Sequence, residues 1–394
     1  MNGNPDNRHL IIIPSVTVWT ERNVIIFDRK CYDGMMQYVE KWPGRITCIM
    51  GTDRSSPPAF DLVHVQVEEL PFQCVILQEN EVVDSSHIHG ASIVLASADA
   101  HNQLHVSSIC KDACVPCVYV IEYIPETRYQ IAVLETSNHF LLLRRLLYLW
   151  QQEKNRIAAF NISEGLQSNG TPAYYQYKIH RNNLLYFDTR VFSTQMIDET
   201  NLEKRLNELS LCKPIRLAFS GRLIRMKGAD HLVRLALKLK RMGLPFSLAI
   251  YGAGDQEKKM RQFINQYDLR NEVSMPGSVD FYKTLLPEIQ NNVDLFVCLH
   301  RQSDPSCTYL ETLACGVPIV GYNNKAFAGI LGLADIGWSA SMNNLDGIAE
   351  IIAHLYVNRA EIAKKSRNSL TFASLHNCEI TFQKRIDHLL SITE

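Results

Sequence analysis

The sequence predicts an α/β protein made of two doubly wound, parallel-sheet domains in tandem. Three patterns lead there. Short β-branched apolar runs recur along the first half, and they are nearly continuous in hydrophobicity, as strands buried on both faces should be. Amphipathic helical patterns lie between several of them, an alternation that argues for βαβ units. A second series of runs begins after a polar stretch, residues 188–214, which reads as an interdomain connection.

In order, the expected strands of the first half are residues 10–16 (LIIIPSV), 46–50 (ITCIM), 72–78 (FQCVILQ), 92–98 (SIVLASA), 117–122 (CVYVIE) and 156–161 (RIAAFN). Helical patterns stand at DGMMQYVEKW and HFLLLRRLLYLWQQEK. The second helix is apolar almost all round, interrupted by Arg144 and Arg145. Burial in the core is the plainer reading of such a helix. The alternative is a membrane-facing helix whose paired arginines suit lipid headgroups.

The second series comprises 215–221 (IRLAFSG), 246–252 (FSLAIYG), 272–277 (EVSMPG), 294–300 (DLFVCLH) and 317–322 (VPIVGY). Its helical partners include ADHLVRLALKLKRMGL and QEKKMRQFINQYDL, and HNCEITFQKRIDHLLSITE reads as a terminal helix. Ligands of such sheets bind at the carboxyl ends of the strands, so the chemistry is expected in a cleft between the domains.

Composition narrows the function classes. The chain has 394 residues, 46% of them apolar, long enough for two to three domains. Lys and Arg number 40 against 41 Asp and Glu, so no overall field draws it to nucleic acid, and anion binding must be local. The opening MNGNPDNRHL lacks a signal-peptide pattern. No apolar run reaches the ~18 residues of a membrane span. Eleven cysteines, an odd count set mostly in apolar runs, suit free thiols in a reducing compartment, so the cytoplasm is expected.

Two stretches carry the local chemistry. In FSGRLIRMKGAD (219–230), Arg222 and Lys227 bracket the exit loop of a strand, with Ser220 and Gly221 at its start and a helix beginning near Ala229. A helix N-terminus offers unpaired N–H groups and partial positive charge, and two added cations could chelate a diphosphate. Two solvated loop cations are the competing reading. The second stretch, SDPSCTYLETLACGVPIVGY (303–322), starts as a loop at another strand end and continues as a short helix. Glu311 lies near that helix's first turn, where a carboxylate can accept hydrogen bonds from ribose hydroxyls; it could equally be a carboxylate favoured by the helix dipole.

Taken together, residues 213–322 resemble the retaining glycosyltransferases of family 4, which have the GT-B fold. SGRLIRMKG is similar to their diphosphate-binding segment, YGAGDQ with Gly252 to the glycine turn after the next strand, and VSMPGSV with Pro276 and Gly277 to the loop that contacts the base. YLETLACGVPIV resembles the second half of their paired-glutamate motif, with Glu311 as ribose ligand and Ser303, Cys307 and Thr308 in the preceding nucleotide-side loop. The family's first glutamate, eight positions earlier, contacts the donor sugar. Here Ser303 stands there, with Asp304 beside it as a substitute. The family often has a histidine near the donor sugar after a first-domain strand, where this chain has Glu122. The glycine-rich first loop is also missing.

The resemblance implies an acceptor domain over 1–193, a nucleotide-sugar domain over 194–376 and a final helix, 377–394, that crosses back to the first domain. It implies retaining hexosyl transfer from a UDP-sugar, UDP-glucose first, to a glycan or lipid-linked glycan, as in exopolysaccharide synthesis. The catalytic candidates are Arg222, Lys227, Glu122 and Asp304, with Asp99 as an alternative to Glu122 in orienting the acceptor. The loops VIEYIPETRYQ, LQSNGTPAYYQY and LLYFDTRVF are expected on the acceptor side. An epimerase or hydrolase of the same fold and a non-catalytic sugar-nucleotide-binding protein are the rivals. No D-x-D occurs, so neither a metal nor a cofactor is expected, the UDP-sugar being substrate. Peripheral contact with the inner face of the membrane fits a lipid-linked acceptor.

Three other signals are discounted. CKDACVPC (110–117) has iron–sulfur-like spacing but reads better as a helix-to-strand turn. His101 and His105 lack a third ligand. GAGDQE lacks the last glycine of a dinucleotide fingerprint.

Overall fold

The structure, a computed structural model, describes residues 8–53, 55–57, 61–209 and 214–393. Most of the opening decapeptide and residues 210–213 of the expected connection therefore lie outside the described residues. Contacts divide the chain into two units, the first comprising Met1–Pro125, Phe140–Tyr186 and Glu379–Glu394, the second Glu126–His139 and Phe187–Cys378. Among the described residues no helix is long and apolar enough to cross a membrane.

The strands of the first unit are β1 (Arg8–Ile13), β2 (Trp19–Glu21), β3 (Val24–Asp28), β4 (Gly44–Gly51), β5 (Leu62–Gln66), β6 (Gln73–Leu77), β7 (Ile93–Ser97), β8 (Cys117–Ile121), β9 (Gly165–Asn169) and β10 (Asn183–Tyr186). Seven form one sheet in the order β10-β9-β8-β7-β1-β4-β6, parallel throughout. The others make a small antiparallel sheet, β2-β3-β5. The helices in chain order are α1 (Arg29–Lys41), α2 (Val106–Asp112), α3 (Pro125–Glu135), α4 (His139–Ile162) and α5 (Gly170–Gln176). Helix α1 starts where the Asp28 carboxylate accepts from the Cys31 N–H at 3.1 Å, an N-cap that satisfies one orphan donor.

In the second unit β11 (Ile215–Ser220), β12 (Phe246–Tyr251), β13 (Val273–Gly277), β14 (Leu295–Cys298), β15 (Ile319–Tyr322) and β16 (Gly337–Ala340) form one parallel sheet, β13-β12-β11-β14-β15-β16. Its helices are α6 (Glu199–Leu209), α7 (Ala229–Arg241), α8 (Glu257–Gln266), α9 (Leu286–Asn292), α10 (Thr308–Ala314), α11 (Lys325–Leu333), α12 (Leu345–Val357) and α13 (Arg359–Ser374). Helix α14 (Cys378–Thr393) follows, nearly all of it in the first unit. Helix α7 buries Leu232, Val233, Leu235, Ala236 and Leu239, a stripe at helical spacing. Each large member contributes about 1.5–3 kcal/mol.

Several expectations are corrected. Residues 156–161 are not a strand but the last turns of α4, which no Gly or Pro interrupts. Its buried residues there, Arg156, Ala159 and Phe160, stand at i, i+3 and i+4. Strand β9 instead follows, within one of the expected acceptor-side loops. Its sequence GLQSN is polar yet wholly buried, because α14 satisfies it. The Arg385 Nε donates to Gln167 Oε1 at 2.9 Å, and Gln167 Nε2 donates to the Arg385 carbonyl at 2.8 Å. Strands β10 and β16 were likewise not expected.

Helix α4 is not a buried helix. Phe140, Leu141, Leu143, Leu147, Tyr148 and Trp150 are all half or more exposed. The polar stretch after Phe187 is not a spacer either, since α6 buries Leu202, Arg205, Leu206 and Leu209 in the second unit. Residues 110–117 run from α2 through a turn into β8, as the plainer reading has it.

Candidate functional site

Strand order 3-2-1-4-5-6 reverses direction between β11 and β14, and the crevice beyond the carboxyl ends of such a strand pair is where this topology opens for ligands. The loops that leave those two ends carry the candidate residues. Residues 221–224 follow β11, a single 3₁₀ turn spans Arg225–Lys227, and α7 begins after Gly228. Gly228 has φ +73° and its position is confined by backbone: a Cβ there would lie 2.1 Å from the Leu299 carbonyl oxygen. The loop after β14 is thus packed directly against the loop after β11, and the Arg301 N–H donates to the Met226 carbonyl at 2.8 Å.

The same close approach repeats one strand over. A Cβ on Gly252, at the end of β12, would stand 2.0 Å from the Gly221 carbonyl oxygen. Backbone hydrogen bonds latch the three exits together: Leu223 N–H to Ala253 at 2.8 Å and Gly252 N–H to Gly277 at 2.8 Å. Ser220, Gly221, Gly252 and Gly277 are therefore neighbours along one edge of the sheet, with Pro276 exposed beside them.

The two sequence-predicted cations differ in setting. Arg222 is exposed, and its side chain has no hydrogen bond or ion pair among the described residues. Lys227 is buried, and its Nζ donates to Asp304 Oδ2 at 2.8 Å. Asp304 is buried as well. Burial, the largest single effect, would raise its carboxyl pKa, but Lys227 and the other polar neighbours together hold it below the ordinary carboxylate value. Behind the pair stands His300, 1% exposed, with neither ring nitrogen hydrogen-bonded. Burial, aided by Lys227, pushes its pKa down to about 3, so the imidazole is neutral.

Glu311 is in the first turn of α10 and 7% exposed. Its Oε1 accepts from Arg190 Nε at 2.9 Å, and the Arg190 guanidinium lies 3.6 Å from the centre of the Phe281 ring, a cation–π contact. Its Oε2 has no partner among the described residues. Ser303 is held by two bonds, its N–H to Gln130 Oε1 at 3.4 Å and its Oγ accepting from the Lys325 N–H at 3.2 Å. Cys307 precedes the first residue of α10, Thr308, whose Oγ1 accepts from Ser306 at 3.2 Å.

Sequence reasoning passed over Arg190, Arg301 and His300. Only His300 had a signal, as the polar end of an apolar run. Arg301 pairs with Asp230 at 2.9 Å, which steadies the first turn of α7.

Glu122 belongs to the first unit, half-buried after β8, where its Oε2 accepts from Asn169 Nδ2 at 3.3 Å. Asp99 caps the same turn by accepting from the backbone N–H groups of Glu122 (2.8 Å) and Tyr123 (3.1 Å). His101 and His105 do not share a helix face. His105 bonds the Val83 carbonyl, and His101 faces Arg156. Among the described residues no group of three or more His, Cys, Asp or Glu could hold a metal ion.

Two Rossmann-like parallel sheets, the second with cations, glycines and a helix-start carboxylate in its strand-exit loops, make a GT-B α/β fold. Residues 203–371 match the family model of glycosyl transferases group 1. That match lies wholly within the second unit. The chain is 24% identical over 152 residues to WcaL of Escherichia coli K12, provisionally named a colanic acid biosynthesis glycosyltransferase. That match covers 36% of this chain, and it spans only about a third (36%) of the relative's length. Among solved structures, HepE of Anabaena in complex with UDP has a TM-score of 0.65 at 14% identity, covering 98% of this chain and 99% of that one. A glycosyltransferase from Rickettsia africae has a TM-score of 0.66 at 11% identity, with the same coverage of each chain.

Proposed function

We propose that this chain is a retaining hexosyltransferase that takes a sugar, glucose first, from a UDP-sugar and delivers it to a glycan or lipid-linked glycan. The carrying observation is the meeting of the β11 and β14 exit loops, where Lys227 Nζ donates to Asp304 Oδ2 at 2.8 Å and the Arg301 N–H donates to the Met226 carbonyl at 2.8 Å. HepE, a structural neighbour, has been solved with UDP-glucose, which supports the choice of donor.

In this reading Arg222 and Lys227 hold the diphosphate, Glu311 takes the ribose hydroxyls, and the backbone at Gly252, Pro276 and Gly277 lies along the base. Ser220, Gly221, Cys307 and Thr308 supply polar backbone and side-chain groups, and Ser303 with Asp304 lies nearest the sugar. The bond from the anomeric carbon to the β-phosphate oxygen breaks, and the acceptor hydroxyl oxygen bonds to that carbon on the same face. The leaving phosphate takes the acceptor's proton. Charge growing on that phosphate is offset where it develops by the two cations and the helix N–H groups, without a metal. Acceptor recognition is assigned to the first unit, with Glu122 orienting it.

The exposed face of α4 supports a place at the cytoplasmic surface of a membrane. Phe140, Leu143, Leu147 and Trp150 are exposed there together with Arg144 and Lys154, apolar groups and cations suited to anionic headgroups.

The test is calorimetric titration of UDP, GDP, ADP and their glucose conjugates into wild type and the Arg222→Ala, Lys227→Ala double variant. Binding of one nucleotide, lost at least about tenfold in the variant, is expected. Equal binding by both proteins sinks the assignment. Release of free sugar or an epimer without acceptor would favour the epimerase or hydrolase reading. Tight binding with no turnover on any acceptor would favour a binding protein, which the serine at position 303 motivates.

A further inference from the structure

The cation assigned to the diphosphate is already engaged. Lys227 Nζ donates to Asp304 Oδ2 at 2.8 Å, with both side chains less than a tenth exposed. A buried ammonium needs a partner, and this carboxylate holds the place on it that a phosphate oxygen would take.

Asp304 is nevertheless not a completed structural bridge. Its Oδ1 is buried without a hydrogen bond. His300 Nδ1 stands 3.9 Å from it, beyond bonding distance. Gln302, whose side chain helps stabilise the carboxylate, keeps its own Oε1 buried and unbonded. Asp294, just before β14, shows what completion looks like. It accepts from the Arg216 N–H at 2.8 Å, from Nε at 3.1 Å and from Nη2 at 2.7 Å. Lys227, for its part, donates one hydrogen bond of a possible three among the described residues. Both members of the pair therefore keep unused capacity on the ligand-side loops.

We propose that Asp304 is an internal counter-ion with which the donor diphosphate must share Lys227, and that it thereby sets how tightly the nucleotide is held and how readily it leaves. This rests on the donor-site reading above and deepens it. A diphosphate arriving at Lys227 meets a second anion on the same ammonium, and that repulsion acts in a poorly solvated setting where charges are weakly screened. The carboxylate keeps Lys227 charged and aimed when the site is empty, and it weakens the grip on the nucleotide when the site is full. Asp304 is in this sense a positioning residue that acts through Lys227.

Asp304→Asn is the direct test, since the amide keeps the shape and an acceptor oxygen for Lys227 but removes the charge. Calorimetry should show UDP bound at least about tenfold tighter than by wild type, with KM for the donor falling and kcat falling alongside as release slows. The gain should shrink to several-fold in a Lys227→Gln background, where the shared ammonium is gone and only the anion's repulsion is removed. Should Asp304→Asn not fold, the Lys227→Gln, Asp304→Asn double variant carries the test, because it buries no unpaired charge. It should bind UDP several-fold tighter than Lys227→Gln alone. Unchanged or weaker UDP binding by folded Asp304→Asn, or a double variant no better than Lys227→Gln, overturns the counter-ion role while leaving the donor site standing. A wild type that binds no nucleotide removes the donor site and this inference together.

Discussion

Arg205 is the most consequential side chain in what reads, from sequence, as a connecting stretch. Its guanidinium donates to the carbonyls of Gln290 at 2.6 Å, Cys315 at 2.8 Å and Gly316 at 2.5 Å, with a longer contact to Ile289 at 3.4 Å. These are the orphan carbonyls at the ends of α9 and α10, so one side chain caps two helices. Burial pushes its pKa down to about 10, which leaves it charged at neutral pH.

Replacing it with Met keeps much of the volume and deletes the donors. Three short charge-assisted bonds at ~1.5 kcal/mol each amount to ~4.5 kcal/mol, and relief of the arginine's own desolvation returns ~1–2 kcal/mol. The net cost is therefore about 3 kcal/mol, or a fall in Tm of about 6–12 °C for a domain of this size. Scanning calorimetry measures it, and amide exchange over residues 308–316 should rise with it. A Tm within about 2 °C of wild type, or exchange unchanged at α10, would refute the capping argument.

Two further outcomes are expected. His300 is neutral in the fold with its pKa at about 3. The unfolded chain takes up its proton near pH 6.5, so the folded state loses relative stability as pH falls from 6.5 toward 3. Urea unfolding of His300→Gln should thus show a smaller loss between pH 7 and pH 5 than wild type; an equal loss would mean His300 contributes nothing to acid sensitivity. At α4, the Leu147→Glu, Trp150→Glu variant should lose co-sedimentation with vesicles containing a third phosphatidylglycerol, while wild type binds them and ignores neutral vesicles. Wild type remaining in the supernatant would remove the membrane role.

Much of the fold was readable from hydrophobicity because buried parallel strands cannot hide: β1, β4, β7, β8, β11, β12 and β14 are all apolar runs. What escaped was β9, whose GLQSN is polar and pairs with α14, a partner 218 positions away for Gln167 and Arg385. Residues 156–161 failed the other way. They are short and apolar in content, and only continuity with the preceding turns makes them helix. At the candidate site, the glycines and the spacing of Arg222 and Lys227 were visible, because tight turns and cations at strand ends leave marks in sequence. Arg190 on Glu311 was not, since nothing local links positions 190 and 311.

The sequence alone determined the class: two doubly wound sheets, their strand ends, and a glycine-bearing cationic loop before a helix. Each follows from local rules, strand burial and the backbone freedom of glycine. Only the tertiary structure decided which cation is buried, that Asp304 rather than solvent faces it, and that α4 leaves Leu141, Leu143 and Leu147 exposed. Burial and ion pairing depend on residues far apart in the chain, and a free energy of transfer has no value until the surroundings exist.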